Sequence, residues 1–221
     1  MFDTFLFIGF PYIAVALAVV VGTYRYFSDR FSYSSLSTQF LENSKLFWGS
    51  ISWHYGIILI LLAHLTAWLI PPVHLAVLGG YLRTVVLEVT GWALAIYSLF
   101  GLLLLAYRRL AVSRISVTSN LPDWLLLLSL IIQVGLGLYV AIFYRYGGLW
   151  FTKVAAGWLW SLFTLRPDIT YIQTMPWAVK LHFFFAFVVI LLFPFTRLVH
   201  IFTFPITYLW RPYQVVIWNR K

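Results

Sequence analysis

Residues 52–69 have the sequence SWHYGIILILLAHLTAWL, which places two histidines within eighteen residues that carry no formal charge. A bilayer core about 30 Å thick is crossed by roughly 20 helical residues. This stretch therefore predicts a membrane-spanning helix with ligand-type side chains at bilayer depth. A second stretch, residues 181–202, has the sequence LHFFFAFVVILLFPFTRLVHIF and again holds two histidines.

The composition of the whole chain also indicates a membrane protein. Of the 221 residues, 62% are hydrophobic and only 10% are charged, and the mean hydropathy is +0.91. A soluble domain carries about a quarter of charged residues, so a soluble, disordered or nucleic-acid-binding protein is excluded. The chain has no cysteine. Disulfides, thiolate-held zinc, iron–sulfur clusters and covalently attached haem are therefore excluded, and histidine, methionine and carboxylates are the candidate metal ligands.

The gaps between charged residues predict an all-α integral membrane protein, built as one domain over residues 1–221. We expect a bundle of five transmembrane helices, numbered 1 to 5. They lie at approximately 4–24, 47–70, 88–107, 124–144 and 179–202, and a tail follows at 203–221. The acidic start MFDTF predicts a retained helix 1 rather than a cleaved signal peptide. Aromatic residues at helical spacing between 150 and 162 predict a short helix in the membrane interface.

The basic residues predict the orientation of these helices. Ten of the fifteen lysines and arginines follow helix 1, follow helix 3, or lie at the end of helix 5 and in the tail. Cytoplasmic loops of membrane proteins are enriched in basic residues. We therefore expect the N-terminus outside and the tail, 203–221, in the cytoplasm.

Four of the five histidines lie in helices 2 and 5, and their spacing predicts a cofactor. Eighteen residues complete five helical turns, so a continuous helix 5 places His182 and His200 on one face, while His54 and His64 are about 80° apart. The two helices are antiparallel, which pairs His54 with His200 on the cytoplasmic side and His64 with His182 on the outer side. Six-coordinate haem iron requires one neutral imidazole from each of two facing helices. The sequence therefore predicts two haem b groups between helices 2 and 5.

The two helices space their histidines differently, by about 15 Å on helix 2 and about 27 Å on helix 5. Tilted haem planes, crossed helices or a bend at Pro194 would absorb the difference. Arg197, one turn before His200, is a candidate partner for a haem propionate. Arg109 has either this role or that of a topology-fixing charge, whereas Arg108 is expected to snorkel to the surface. Small residues that would let a flat macrocycle approach a helix are Ala63, Ala67, Gly135 and Gly137.

Other interpretations of the histidines stay open at this point. A lone histidine in a membrane helix more often forms an interhelical hydrogen bond. Zinc is the alternative metal, although it prefers a compact tetrahedral set of ligands. A non-redox transporter or scaffold would be expected to place carboxylates deep in its helices, whereas Asp3, Glu88 and Asp123 lie at helix ends. This contrast favours an electron carrier.

The two histidine-bearing stretches and LAYRRL at residues 105–110 resemble the cytochrome b (gamma) subunit family of membrane-bound respiratory nitrate reductases. The resemblance covers essentially the whole chain, and the spacings His54-x9-His64 and His182-x17-His200 together are specific. It implies quinol oxidation near the outer haem. It also implies electron delivery to an iron–sulfur subunit and then to a molybdopterin subunit that reduces nitrate in the cytoplasm.

The same resemblance implies a location in the inner membrane of a prokaryote, in contact with lipid and the quinone pool and with no nucleic-acid partner. Related cytochromes serve sulfite-reductase-associated and heterodisulfide-reductase membrane complexes, so these are the alternative partners. The nitrate reductase family commonly has a lysine in the outer segment between helices 2 and 3, where the nearest basic residue here is Arg83.

Candidate quinol-site residues lie in and beside this outer segment. Arg83 could orient a quinol oxygen, Glu88 or His74 could accept a proton, and Tyr81 could donate a hydrogen bond. Each residue also has a simpler interpretation. Arg83 and Tyr81 would be interface anchors, Glu88 a first-turn helix charge and His74 a solvated loop residue.

Overall fold

The computed structural model describes residues 2–33, 38 and 41–202. Within this part of the chain all regular secondary structure is helical, and five helices are long and apolar enough to cross a membrane, as predicted. They are α1 (Phe2–Ser28), α2 (Ser44–Leu69), α3 (Tyr81–Ala111), α4 (Leu121–Phe143) and α5 (Trp177–Phe195). The predicted tail, 203–221, lies outside the described residues.

The ends of these helices follow from local sequence. Pro71 ends α2, because proline has no backbone N–H to continue the helix, and it begins a short helix, Pro71–Val77. At the start of α4 the side chain of Asn120 accepts the backbone N–H of Asp123, and the carboxylate of Asp123 accepts the backbone N–H of Asn120. This reciprocal cap satisfies N–H groups that the first helical turn leaves without partners.

The main contacts between long helices form a row in the order α2, α3, α4, α5 and α1. The predicted interfacial segment is helical, in consecutive turns at Gly147–Trp150, Phe151–Ala155 and Ala156–Phe163. This segment also contributes buried side chains to the bundle. Trp158 is buried, stacks on Phe183 of α5 at 5.2 Å and donates its indole N–H to the carbonyl oxygen of Phe7 on α1. The segment therefore locks α1 and α5 together.

The prediction of a continuous helix 5 from 179 to 202 is wrong. Its α-helical part ends at Leu192, a 3-10 turn spans Phe193–Phe195, and Thr196 is extended, with φ −123° and ψ 179°. A second 3-10 turn, Arg197–Ile201, carries His200. Pro194 lacks the N–H that the helix needs, and its ring crowds the preceding turn. The relative positions of His182 and His200 therefore cannot be obtained by counting helical turns. Of the three features expected to absorb the unequal histidine spacing, the structure contains the bend at Pro194.

Helices α2 and α3 approach closely because glycines line their contact. A Cβ at Gly101 of α3 would lie 2.6 Å from the backbone nitrogen of Trp53 and 2.7 Å from the carbonyl oxygen of Gly49. Both atoms belong to the backbone of α2, which cannot move as a side chain can. Close helix packing through small residues is a common source of stability in membrane bundles.

We expect Gly101→Ala to destabilise the bundle, because the added methyl group forces α2 and α3 apart. Overpacking of this kind costs about 1–3 kcal/mol, measurable as a lower thermal unfolding temperature in detergent. The matched control is Gly91→Ala on the same helix, where a Cβ meets no atom within 4 Å. Equal stability of the two variants would contradict this packing.

Candidate functional site

In the first half of α2, His54 lies beside His200 of the last 3-10 turn. Their ring centroids are 6.0 Å apart and their planes meet at 73°. An imidazole nitrogen binds a metal at about 2.0–2.1 Å and lies about 1.1 Å from its ring centroid, so two imidazoles on opposite sides of one metal have centroids about 6 Å apart. The observed separation fits two axial ligands of one iron.

The two histidines of the second predicted pair, His64 of α2 and His182 of α5, lie close enough to interact electrostatically. His182 packs against α4, where a Cβ at Gly137 would lie 2.9 Å from its Cε1 atom. His64 contacts the ring of Phe151 edge to face at 5.1 Å and is an exposed residue of a membrane-spanning helix. An exposed imidazole at bilayer depth is costly without a partner, which fits a ligand role for this pair also.

All four histidines use Nδ1 in the same way. Each Nδ1 faces a backbone carbonyl oxygen: His54 that of Ser50 at 2.7 Å, His64 that of Ile60 at 2.8 Å, His182 that of Gln133 at 3.2 Å, and His200 that of Arg197 at 2.7 Å. A carbonyl oxygen only accepts hydrogen bonds, so each Nδ1 carries the proton. In the neutral ring the lone pair then lies on Nε2, which is the tautomer that a metal-ligating histidine needs.

The donor set fits haem better than a cage of protein ligands. Among the described residues no group of three or more His, Cys, Asp and Glu side chains could hold a metal ion. A haem iron takes only two ligands from the protein, since the porphyrin supplies four nitrogens. Two separated imidazole pairs of fixed tautomer meet that requirement.

Arg197, the candidate partner of a haem propionate, and Arg109, for which that role is one of two alternatives, converge on one carboxylate. Arg197 Nε lies 2.9 Å from Asp123 Oδ1, and Arg109 Nη1 lies 3.5 Å from Asp123 Oδ2. The carboxylate is buried, and a cavity of 220 Å³ borders Asp123 and Arg197. The carboxylate thus joins two guanidinium groups, one of which belongs to the 3-10 turn that carries His200.

Arg108 does not snorkel as expected. It is 3% exposed, its Nε lies 2.7 Å from Glu42 Oε2, and its Nη1 donates to Thr38 Oγ1 at 3.0 Å. These contacts tie the C-terminal end of α3 to residues before α2. Hydrogen bonds from the backbone N–H of Lys45 and from Arg108 hold the pKa of the Glu42 carboxyl below its usual value, so this ion pair is charged at neutral pH.

Among the candidate quinol-site residues, Arg83 and Glu88 both have protein partners. Arg83 Nη2 donates to the carbonyl oxygen of Gly79 at 2.9 Å, which closes the turn before α3. Glu88 accepts from Arg145 Nη2 at 3.1 Å and from the backbone N–H of Tyr146 at 2.8 Å. The side chain of Glu88 is 8% exposed. Glu88 therefore joins α3 to the end of α4. Its interpretation as a first-turn charge is wrong, because the helix predicted from 88 begins at Tyr81.

His74 is not the solvated residue of its simpler interpretation. Its Nδ1 lies 3.3 Å from Thr66 Oγ1, and its Nε2 is buried without a hydrogen-bond partner. The Thr66 hydroxyl donates to the carbonyl oxygen of Ala63 at 2.9 Å, so it accepts from His74 and leaves Nε2 as the acceptor. Burial lowers the pKa of the His74 imidazole, and the nearby His64 adds to the effect, so His74 is neutral at pH 7.

Sequence reasoning missed three residues that position this site. Arg25 donates to backbone carbonyl oxygens at the break in α5. The backbone carbonyl oxygen of Gln133 accepts the Nδ1–H of His182, and the carboxylate of Asp123 binds Arg109 and Arg197. Only Asp123 carried a signal, since an asparagine three residues before it predicts a helix cap. The cap signal does not predict that Asp123 contacts Arg109 and Arg197, because both arginines come from other parts of the chain.

Known proteins of one family resemble this chain over almost its whole length. The family model described as nitrate reductase gamma subunit matches residues 3–219. The chain is 34% identical over 209 residues to the nitrate reductase gamma chain of Bacillus subtilis (strain 168), a match that covers 93% of each protein. It is 31% identical over 218 residues to the respiratory nitrate reductase 1 gamma chain of Escherichia coli (strain K12), covering 97% of this chain and 96% of that one. The chain therefore belongs to the nitrate reductase gamma subunit family.

Proposed function

We propose that this protein is the di-haem b membrane subunit of a nitrate reductase, which oxidises quinol near the outer face of the inner membrane. Its electrons pass to an iron–sulfur subunit and a molybdopterin subunit in the cytoplasm. The N-terminus lies outside and the tail, 203–221, lies in the cytoplasm. The observation that carries the proposal is the shared tautomer of four membrane-embedded histidines in two pairs, each with Nδ1 on a carbonyl.

The chain's own residues hold the ligands in place. His54 and His200 would hold the inner haem, and His64 and His182 the outer one. When bound, each haem supplies an iron that accepts and releases one electron. The backbone carbonyls fix each ring's tautomer and orientation, and the guanidinium groups of Arg109 and Arg197 would be the donors nearest the inner pair for a carboxylate of the cofactor.

At the outer face, His74 is the best-supported acceptor for a quinol hydroxyl. Its buried Nε2 carries the lone pair, and it lies close enough to His64 to interact electrostatically. Arg83 is exposed and would orient a quinol oxygen without taking its proton. Glu88, which already accepts two hydrogen bonds, would support the site by holding α4 against α3. Protons released here leave on the outer side while the acceptor lies in the cytoplasm, so the reaction moves charge across the bilayer.

Purification of the chain with its native partners tests the proposal directly. We expect about two haem b per chain in a pyridine haemochrome assay, with low-spin bis-imidazole spectra. The double variant His54→Ala plus His64→Ala should remove both haems, and the copurified subunits should contain iron–sulfur clusters and molybdopterin. A wild-type protein without haem, or a double variant that keeps both haems, would overturn the proposal.

A further inference from the structure

The break in α5 creates a structural problem at the turn that carries His200. Between Phe193 and Ile201 the chain has no α-helical hydrogen bonds, and Thr196 is extended and 3% exposed. Irregular backbone beside a membrane is stable only when other groups satisfy its carbonyl oxygens and N–H groups. Two charged residues from other helices contact this segment.

The first is Arg25, near the end of α1. Its Nη1 donates to the carbonyl oxygen of Pro194 at 2.8 Å and to that of Thr196 at 3.3 Å. Its Nε donates to Ser32 Oγ at 2.9 Å, and its Nη2 donates to the Ser32 carbonyl oxygen. One guanidinium therefore binds carbonyls on both sides of Phe195 and is itself held by the turn after α1.

The second is Asp123, in the first turn of α4. Its carboxylate caps its own helix and accepts from Arg197 Nε at 2.9 Å. The backbone carbonyl of Arg197 in turn accepts the Nδ1–H of His200 at 2.7 Å. Asp123 therefore fixes the side chain of the residue whose backbone orients the histidine.

We propose that Arg25 and Asp123 together clamp the 3-10 turn and are positioning residues for His200. Arg25 fixes where the turn begins, and Asp123 fixes Arg197 and hence the rotation of the imidazole. The role at a cofactor rests on the proposed function, whereas the clamp itself is a property of the folded chain. Two measurements separate these parts.

The first measurement is hydrogen exchange of residues 193–202 in the purified membrane protein. Loss of charge-assisted hydrogen bonds in Arg25→Gln should speed exchange there by roughly tenfold or more. The matched control is Tyr12→Phe, which removes another side-chain bond from α1 to a carbonyl, that of Leu162, at a distant site. Unchanged exchange at 193–202 in Arg25→Gln, or equal acceleration in the control, would overturn the clamp whether or not haem is bound.

The second measurement is the electron paramagnetic resonance spectrum of each low-spin haem, which reports the angle between its two imidazole planes. Arg25→Gln and Asp123→Asn should each shift the signal of the haem at His54 and His200, or lower its occupancy more than twofold, and leave the other haem unchanged. Arg25→Lys should restore the signal in part, because an ammonium reaches fewer carbonyls than a guanidinium. Equal effects on both haems, or none on the inner one, would contradict the positioning role.

Discussion

Replacing His64 with alanine should abolish quinol-dependent haem reduction, whereas replacing His200 with alanine should leave one haem that quinol still reduces. His64 and His182 are the ligands nearest the proposed quinol site at the outer face, so the first variant loses the redox centre beside the substrate. The His200 variant keeps both histidines of the proposed outer pair and loses one histidine of the proposed inner pair. Each variant should contain about one haem per chain instead of about two.

The measurement is the visible spectrum of each purified variant before and after addition of a reduced quinol analogue, with dithionite reduction as the measure of total haem. His182→Ala should match His64→Ala, and His54→Ala should match His200→Ala, because in the proposed function each pair would hold one iron. The opposite pattern, with quinol reducing the haem of the His64 variant but not that of the His200 variant, would place quinol oxidation on the cytoplasmic side.

The number of spans could be predicted because it depends on local composition. Each long helix is a segment that the bilayer requires to be apolar, and its charged flanks are visible in the sequence. The end of α5 could not be predicted in the same way. Pro194 signals a disturbance, but a proline can bend a helix or end it, and the outcome depends on which groups satisfy the freed carbonyls. Here they are bound by Arg25, which lies 169 positions earlier in the chain.

The partners of the charged residues were also beyond local reasoning. Sequence spacing suggests that Arg197 and His200 share a region, and the structure places them in one 3-10 turn. It does not reveal that Asp123 lies between Arg197 and Arg109, because that contact joins three separate parts of the chain. Likewise Arg108, at the end of a helix, has the sequence pattern of a snorkelling residue. Its contacts with Thr38 and Glu42, which precede α2, could not be predicted from that pattern.

The glycines of α4 show how the rotation of a helix determines which of its residues contacts a histidine. In the sequence, Gly135 and Gly137 are equivalent candidates for a small residue that lets a macrocycle approach. They nevertheless lie about 160° apart around the helix. A Cβ at Gly137 would lie 2.9 Å from His182 Cε1, whereas a Cβ at Gly135 meets nothing within 4 Å. Gly137 is therefore the glycine that leaves space for the ring of His182.

We expect Gly137→Leu to remove the outer haem while the inner one remains. The new side chain would occupy the position of the His182 ring, which would swing away from His64 and lose the hydrogen bond from Nδ1 to Gln133. Haem content should fall from about two to about one per chain, and quinol-dependent reduction should be lost as in His64→Ala. Gly135→Leu is the matched control, since it adds the same side chain to the same helix, and it should keep both haems. If the two leucine variants retain haem equally, Gly137 does not set the position of His182, and the close approach of α4 to this ligand has no bearing on the outer site.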